Sequence, residues 1–194
     1  MRHRHVIEGH AFRLRPVRDE DAEFIVGLRC NPVLNQFLHT TSNSIDDQLR
    51  WLHEYYQRAN DYYFIIENSS TTEAEGVIGL YSVNNADQDG EWGRWILASG
   101  SLASVESAWL IYRFAMDELG LQTVYCRTVA DNQKVVSFHD SCGVSNRKSL
   151  SKHLFLNGEQ VDAIEHRLDR EAWAGVQQKL EKLVKMTARK LNHA

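Results

Sequence analysis

The chain has 194 residues, 43% hydrophobic and 25% charged, which suits one globular domain with a sizeable core and argues against a disordered or fibrous protein. Lys and Arg number 22 against 26 Asp and Glu, so the formal net charge is -4 and no global positive field exists to attract a nucleic-acid backbone. Cys30, Cys126 and Cys142 lack CxxC or CxxxH spacing, no run approaches ~18 apolar residues, and MRHRHVIEGH has no apolar signal core, so a soluble cytoplasmic protein without disulfides, zinc or an integral membrane segment is expected.

Phe12-Arg13-Leu14-Arg15 alternates and meets Pro16, a short strand ended by proline. A helix follows: Asp19 is its expected cap, Asp21 and Glu23 load its first turn, Ala22, Ile25, Val26 and Leu28 make its apolar face, and Asn31-Pro32 stops it. A second helix opens at Ser44, with Asp47 three residues on in a weak capping-box pattern and Leu49, Leu52, Tyr55 and Tyr56 at helical spacing. The period then changes to two. Tyr62 to Glu67 and Gly76 to Val83 read as a hairpin, with Glu91 to Leu97 as a third strand. After the small-residue loop Ala98 to Ala103, a strongly periodic helix carries Val105, Ala108, Trp109, Tyr112, Ala115, Met116 and Leu119 on one face, with Gly120 as its expected stop. Thr123 to Val129 returns as a strand, which makes a βαβ unit inside an otherwise hairpin-built sheet. A short helix from Lys134 to Cys142, a hairpin turning at Asn157-Gly158 and a terminal helix from Arg170 to Leu191 complete the chain.

The loop Ser99-Gly100-Ser101-Leu102-Ala103-Ser104 runs into a helix N-terminus, where unpaired amides and the helix dipole favour an anion such as a phosphate; small residues at such a junction also serve packing alone. Neither GxxxxGK[ST] nor GxGxxG occurs, so nucleotide hydrolysis and dinucleotide binding have no support.

Four matches, spanning roughly residues 12 to 173, carry a resemblance to the GNAT family of N-acetyltransferases. Leu14-Arg15-Pro16 with Asp19-Glu20-Asp21-Ala22 resembles the family's first strand and helix start, and Gly76-Val77-Ile78-Gly79 its third strand. Phe114 to Leu121, with Asn132 in the following loop and Gly143 eleven positions later, is similar to the acetyl-CoA core and the helix beyond it, and this block is the most specific. His153 to Asp162, ending near Trp173, resembles the Rim-type branch of ribosomal-protein, polyamine and nucleotide-sugar enzymes. Within that branch, Arg29 with Asn31-Pro32, Ile45, Gln48, Trp51-Leu52, Tyr62 to Ile66, Gly79-Leu80-Tyr81 and Glu91-Trp92-Gly93 resemble the PseH/FlmH-like enzymes, which acetylate the 4-amino group of a UDP-linked amino sugar.

The resemblance implies an α/β fold with a mixed, mostly antiparallel central sheet flanked by helices and one βαβ unit for acetyl-CoA, the acetyl donor. It places Ile96, Leu97, Ser99, Gly100, Ser101, Leu102, Ala103, Ser104, Asn132 and Ser137 at the cofactor, and Arg29, Trp51 and Tyr81 at the acceptor. Glu91 takes the position of the base and His139 that of the acid that helps the thiolate leave, unless the register slips to Phe138. About a quarter of a free histidine is protonated near neutral pH, enough for that task. The plainer readings are a solvated strand-end carboxylate for Glu91, a surface imidazole for His139, a loop turn for Asn132 and a core ring for Trp51. Two departures stand out. The family's loop reads Gln/Arg-x-x-Gly-x-Gly/Ala, and Ser99, Leu102 and Ser104 fall on its defining positions, so Leu102 is expected to narrow the backbone's choices. The family's acid is usually a tyrosine.

Arg2-His3-Arg4-His5 reads as a frayed solvated end, and no metal is assigned. In the terminal helix Trp173, Val176, Leu180, Leu183 and Leu191 form a stripe between lysines and arginines; it is expected to pack on the body, to meet a partner or second copy, or to lie on a membrane surface. The expected organisation is a single domain over 1–173 with an additional amphipathic helix over 174–194. The expected activity is acetyl transfer to a primary amine of a small molecule, best a UDP-linked amino sugar. A protein N-terminal or polyamine acetyltransferase and a silent acyl-CoA-binding or partner-binding protein are the alternatives. A basic or acidic surrounding of Arg29 and Tyr81 discriminates among acceptors, because polyamines need carboxylates.

Overall fold

The computed structural model of the protein describes residues 2–191. The strands are β1 (Ile7–Glu8), β2 (Phe12–Pro16), β3 (Tyr62–Asn68), β4 (Ala74–Asn84), β5 (Asp89–Leu97), β6 (Thr123–Val129), β7 (Arg147–Leu156) and β8 (Glu159–Asp169). The helices are α1 (Ala22–Cys30), α2 (Ile45–Tyr55), α3 (Ser104–Arg113), α4 (Gln133–Cys142) and α5 (Arg170–Leu191). The strands form one sheet in the order β1-β2-β3-β4-β5-β6-β8-β7. All neighbours are antiparallel except β5 and β6, which α3 joins as a parallel pair. A parallel pair needs a crossover, and here α3 supplies it.

Side chains alternate across each strand, so the sheet buries two separate faces. On one, Ile25 and Leu28 of α1 and Leu52 and Tyr55 of α2 pack against Tyr63, Ile65, Val77 and Ile96. On the other, Ala108, Ile111 and Tyr112 of α3 and Trp173, Val176, Leu180, Val184 and Ala188 of α5 pack against Phe64, Leu80, Trp92 and Val124. The terminal stripe therefore lies in the chain's own core, not on a free face. It corrects the expected stripe at one place: Leu183 is 38% exposed and Val184 is buried, because a regular 3.6-residue period carries position 184 inward after Leu180.

Several local expectations change. Asp21, not Asp19, is the cap of α1, after a 3-10 turn over Asp19–Asp21, and its carboxylate accepts from the Arg18 amide at 2.8 Å and from both terminal nitrogens of Arg15 at 2.8 Å. Ser44 caps α2 as expected, accepting from the Asp47 amide, while the Asp47 carboxylate turns to Ser42 and Arg50. The helix α3 stops at Arg113 and widens into a π turn over Phe114–Glu118 before Gly120. The N-terminal run is not frayed. His3 lies against Phe64 with ring centroids 4.6 Å apart and its Nε2 is 3.1 Å from the Tyr63 carbonyl, while His5 packs on Phe114 at 4.9 Å. Burial lowers the His3 pKa to about 4, so this ring is neutral and behaves as an aromatic filler.

Candidate active site

The pairing of β5 with β6 is short. It covers Asp89↔Thr123, Gly90↔Val124 and Glu91↔Tyr125 and goes no further. Beyond Glu91 the two strands part, and the edge of β5 from Trp92 to Leu97 that faces β6 has no strand partner among the described residues. An open strand edge offers amide and carbonyl groups to an extended chain bearing amides of its own. On the other edge of β5 the register with β4 shifts between Val77↔Ile96 and Gly79↔Gly93, with Arg94 at φ 50°. Both parallel strands end on the same side of the sheet, so the loop after β5 and the start of α4 after β6 flank one opening.

The loop bears a single left-handed residue, Gly100 at φ 86°, in open space. The Ser101 amide donates to the Ala98 carbonyl at 3.1 Å, and its hydroxyl donates to Glu75 at 2.6 Å. Ala103 caps α3 without a side-chain acceptor, which leaves the first amides of the helix, at Ser104 and Val105, for an external oxygen. Leu102 is 51% exposed and has an ordinary backbone. Gly100 makes the turn of the loop, and the leucine points to solvent. Ile96 faces the α1/α2 core, and Leu97, partly buried, packs against the α3 core. Asn132 caps α4, its Oδ1 accepting from the Val135 amide at 3.4 Å, and Ser137 is exposed one turn on.

Glu91 stands where the strands part, on the α1/α2 face. Its side chain is 13% exposed; Oε2 accepts from Arg127 at 3.0 Å and Oε1 from the Tyr81 hydroxyl at 3.4 Å. Burial raises its pKa above the ordinary carboxylate value, and the Arg127 guanidinium opposes that rise without cancelling it. A carboxylate held this way is able to take a proton from an amine.

His139 lies on the other face. It is 2% exposed, packed against Trp92 at 5.2 Å and His166 at 5.0 Å, with Nε2 3.5 Å from the Cys126 sulfur. Burial first, and then His166, lowers its pKa to about 3. The expected protonated fraction at neutral pH is therefore corrected: the ring is neutral, because an imidazolium in this apolar cluster would lose its hydration. Phe138, the neighbour in the alternative register, packs tilted against Trp95 with ring centroids 4.9 Å apart and has no ionisable proton to give.

A cavity of about 540 Å³ opens between α1, α2 and their connection. Arg29 and Trp51 line it, as expected for an acceptor site, together with Thr41, Gln48, Tyr63 and Arg94. Tyr81 does not line it. It lies one layer behind, with the Arg94 guanidinium 4.4 Å over its ring and its hydroxyl at Glu91, so the cavity and the carboxylate share a wall. The charges in the cavity are unequal. Arg94 is held by Asp61 through two contacts of 2.5 and 2.9 Å, and Asp47 is paired with Arg50. Arg29 donates to the Thr41 hydroxyl at 2.9 Å and, among the described residues, has no carboxylate within ion-pair distance.

Sequence reasoning missed Arg94, Asp61, Arg127 and Glu165, whose partners lie 33, 36 and 38 positions away and leave no local pattern. It also missed Glu106, whose buried carboxylate takes the amides of His10, Ala11 and Phe12 and anchors the β1–β2 turn to α3. Among the described residues no group of three or more His, Cys, Asp or Glu is placed to hold a metal ion.

Residues 12–145 match the family model described as an acetyltransferase (GNAT) domain. This chain belongs to the GNAT acetyltransferase family. It is an N-acetyltransferase, and its sheet, parted between two parallel strands, is the mixed α/β architecture expected for a GNAT enzyme. Among solved structures it is similar to apo FdhC, a nucleotide-linked sugar GNAT, at 27% identity and a TM-score of 0.77, covering 94% of this chain and 99% of that one. A crystal structure of a putative acetyltransferase from T. thermophilus shares the fold at 20% identity and TM-score 0.80, over 95% and 99% of the two chains. A spermidine N-acetyltransferase SpeG variant from Vibrio cholerae shares it at 17% identity and TM-score 0.73, over 85% and 97%. Comparison with curated proteins returns no match. No helix among the described residues is long and apolar enough to cross a membrane.

Proposed function

We propose that this GNAT enzyme transfers the acetyl group of acetyl-CoA to the primary amine of a nucleotide-linked amino sugar, the 4-amino group of a UDP sugar being the acceptor chemistry that suits it. The observation that carries this reading is the charge of the acceptor cavity. Its two carboxylate neighbours, Asp47 and Asp61, are already paired, and Arg29 is left as a cation beside the hydroxyl of Thr41 and the faces of Trp51 and Tyr63. A diphosphate satisfies such a guanidinium and a base or sugar covers the rings. A polyamine would bring positive charge to a positive site. The similarity to a nucleotide-linked sugar GNAT at 27% identity supports the same choice.

The chain's residues divide the work. The open edge of β5 and the amides at the start of α3 would hold the donor's amide chain and phosphates, with Asn132 and Ser137 on the opposite bank. Glu91 removes the amine's proton as the nitrogen forms its bond to the thioester carbonyl, the C–S bond then breaks and coenzyme A leaves as a thiolate that takes its proton from solvent, and Tyr81 and Arg127 fix the two oxygens of Glu91.

The test is acetyl transfer from acetyl-CoA to UDP-linked 4-amino sugars, spermidine and N-terminal peptides in parallel. The expected result is turnover with the UDP sugar. Arg29→Met should raise KM for that sugar by about ten- to a hundredfold, the worth of a charged hydrogen bond of ~1.5–3 kcal/mol, with KM for acetyl-CoA unchanged. Faster turnover with spermidine than with every UDP sugar would overturn the proposal.

A further inference from the structure

Four side chains of alternating charge cross three neighbouring strands on the α1/α2 face. Glu91 of β5 meets Arg127 of β6 at 3.0 Å, Arg127 meets Glu165 of β8 through its Nε at 2.9 Å, and Glu165 meets Arg167 at 3.6 Å. The sheet register sets this up, since Tyr125 pairs with both Glu91 and Arg167, and Arg127 pairs directly with Glu165. Residues at equal register point to one face, so the chain follows from backbone pairing and not from flexible surface reach. The two carboxylates that flank Arg127 are largely buried, with side chains 13% and 11% exposed. The Arg127 guanidinium lies 4.7 Å over the Tyr125 ring, which holds its plane.

Arg127 thus donates an N–H to each of two carboxylates, Glu165 having Arg167 as a second cation at 3.6 Å, and Glu91 has to share its one guanidinium with a neighbouring anion whose charge makes a proton more welcome on Glu91. We infer that Glu165, two strands from Glu91, is a positioning residue for the transfer reaction that sets the proton affinity of Glu91 by sharing Arg127 with it. The kinetic consequence rests on the reading of Glu91 as the base; the electrostatic coupling does not.

The other groups facing Glu91 are the Tyr81 hydroxyl from β4, with Arg94 over its ring, Asp89 and Tyr125 near the strand junction, Arg167 of β8 beyond Glu165, and His153 from β7. None of these is altered in the variants below. Burial first, and less strongly Glu165, push Glu91 upward, while Arg127, the Tyr81 hydrogen bond and His153 pull it down, in keeping with the geometry.

The experiment is carbon-13 NMR titration of the full chain labelled at the glutamate carboxyl carbons, with the Glu91 signal assigned by its loss in Glu91→Gln. In Glu165→Gln the midpoint of Glu91 should fall by about half a pH unit or more, because repulsion is removed and Arg127 is freed for one carboxylate. In Arg127→Met it should rise by about one unit. The two shifts are opposite in sign, which loss of structure would not produce, and thermal melts identify a variant that fails to fold. If Glu165→Gln does not fold, Glu165→Met, which removes the charge and keeps an unbranched chain of similar length, takes its place and should lower the Glu91 midpoint likewise. A Glu91 midpoint that stays put or rises in Glu165→Gln, or falls in Arg127→Met, overturns the inference. The pH profile of kcat/KM with a UDP-linked 4-amino sugar then reads the consequence: its acid limb should follow the NMR midpoint in each variant. A midpoint that moves while the limb stays fixed supports the coupling and overturns the reading of Glu91 as the base.

Discussion

At Glu91 burial and an ion pair act in opposite directions. Withdrawal from water disfavours the carboxylate, Arg127 favours it, and the balance leaves the pKa above 4.5. A base works deprotonated, so the rate should fall as pH drops through a value higher than that of an ordinary glutamate. Glu91→Gln should cost about a hundredfold or more in kcat while leaving acetyl-CoA affinity nearly unchanged, measurable by steady-state rates and calorimetric titration. An unchanged kcat would remove the role. His139 shows burial without compensation, with a pKa of about 3. Its folded value is below the unfolded 6.5, so its neutral form adds stability above pH 6.5 that is lost progressively as pH falls toward 3. In denaturant titrations between pH 6 and 4, His139→Phe should remove up to about 1.4 kcal/mol per pH unit from the slope of stability against pH.

At the scale of elements, the loop between β5 and α3 depends on one residue. Gly100 takes the left-handed turn, and a side chain there meets backbone strain of ~1–2 kcal/mol even though the space is open. Gly100→Ala should therefore lower stability by about that amount and loosen acetyl-CoA binding several-fold in calorimetry. Leu102→Gly, at an exposed position with ordinary dihedrals, should change acetyl-CoA affinity by less than about threefold, because neither strain nor obstruction is relieved. A tenfold tightening would show that the leucine does constrain the loop.

For the whole molecule, the sheet is one continuous surface except where β5 and β6 part, and both banks of that gap are braced from behind by α3, α4 and α5. The terminal helix is part of this brace. Deleting residues 174–194 removes the buried Val176, Leu180, Val184 and Ala188 and bares the back of α3. At ~1.5–3 kcal/mol per large buried aliphatic side chain, and about 2–4 °C per kcal/mol for a chain of this size, the melting temperature should fall by roughly ten degrees or more. A truncated chain that melts with the full one would make the helix an independent appendage.

Element types and their order were legible in the sequence because they follow from local periods and stop signals: the aromatic and β-branched run Tyr62 to Ile66, the Ser44 cap, the Asn157-Gly158 turn and the start of the terminal helix at Arg170 all recur in the structure. Which charge is paired was not legible. That Arg94 belongs to Asp61, that Arg127 divides itself between Glu91 and Glu165, and that Arg29 has no carboxylate among the described residues are matters of how segments distant in the chain come together. Burial was equally hidden at His139, since a histidine on a short helix carries no local mark of the Trp92, Trp95 and His166 rings that close over it. Local periodicity specifies what a segment becomes, because backbone sterics and side-chain spacing act within a few residues. Proton affinity and binding charge depend on which solvent is excluded and which opposite charge arrives, and only the folded sheet brings those together.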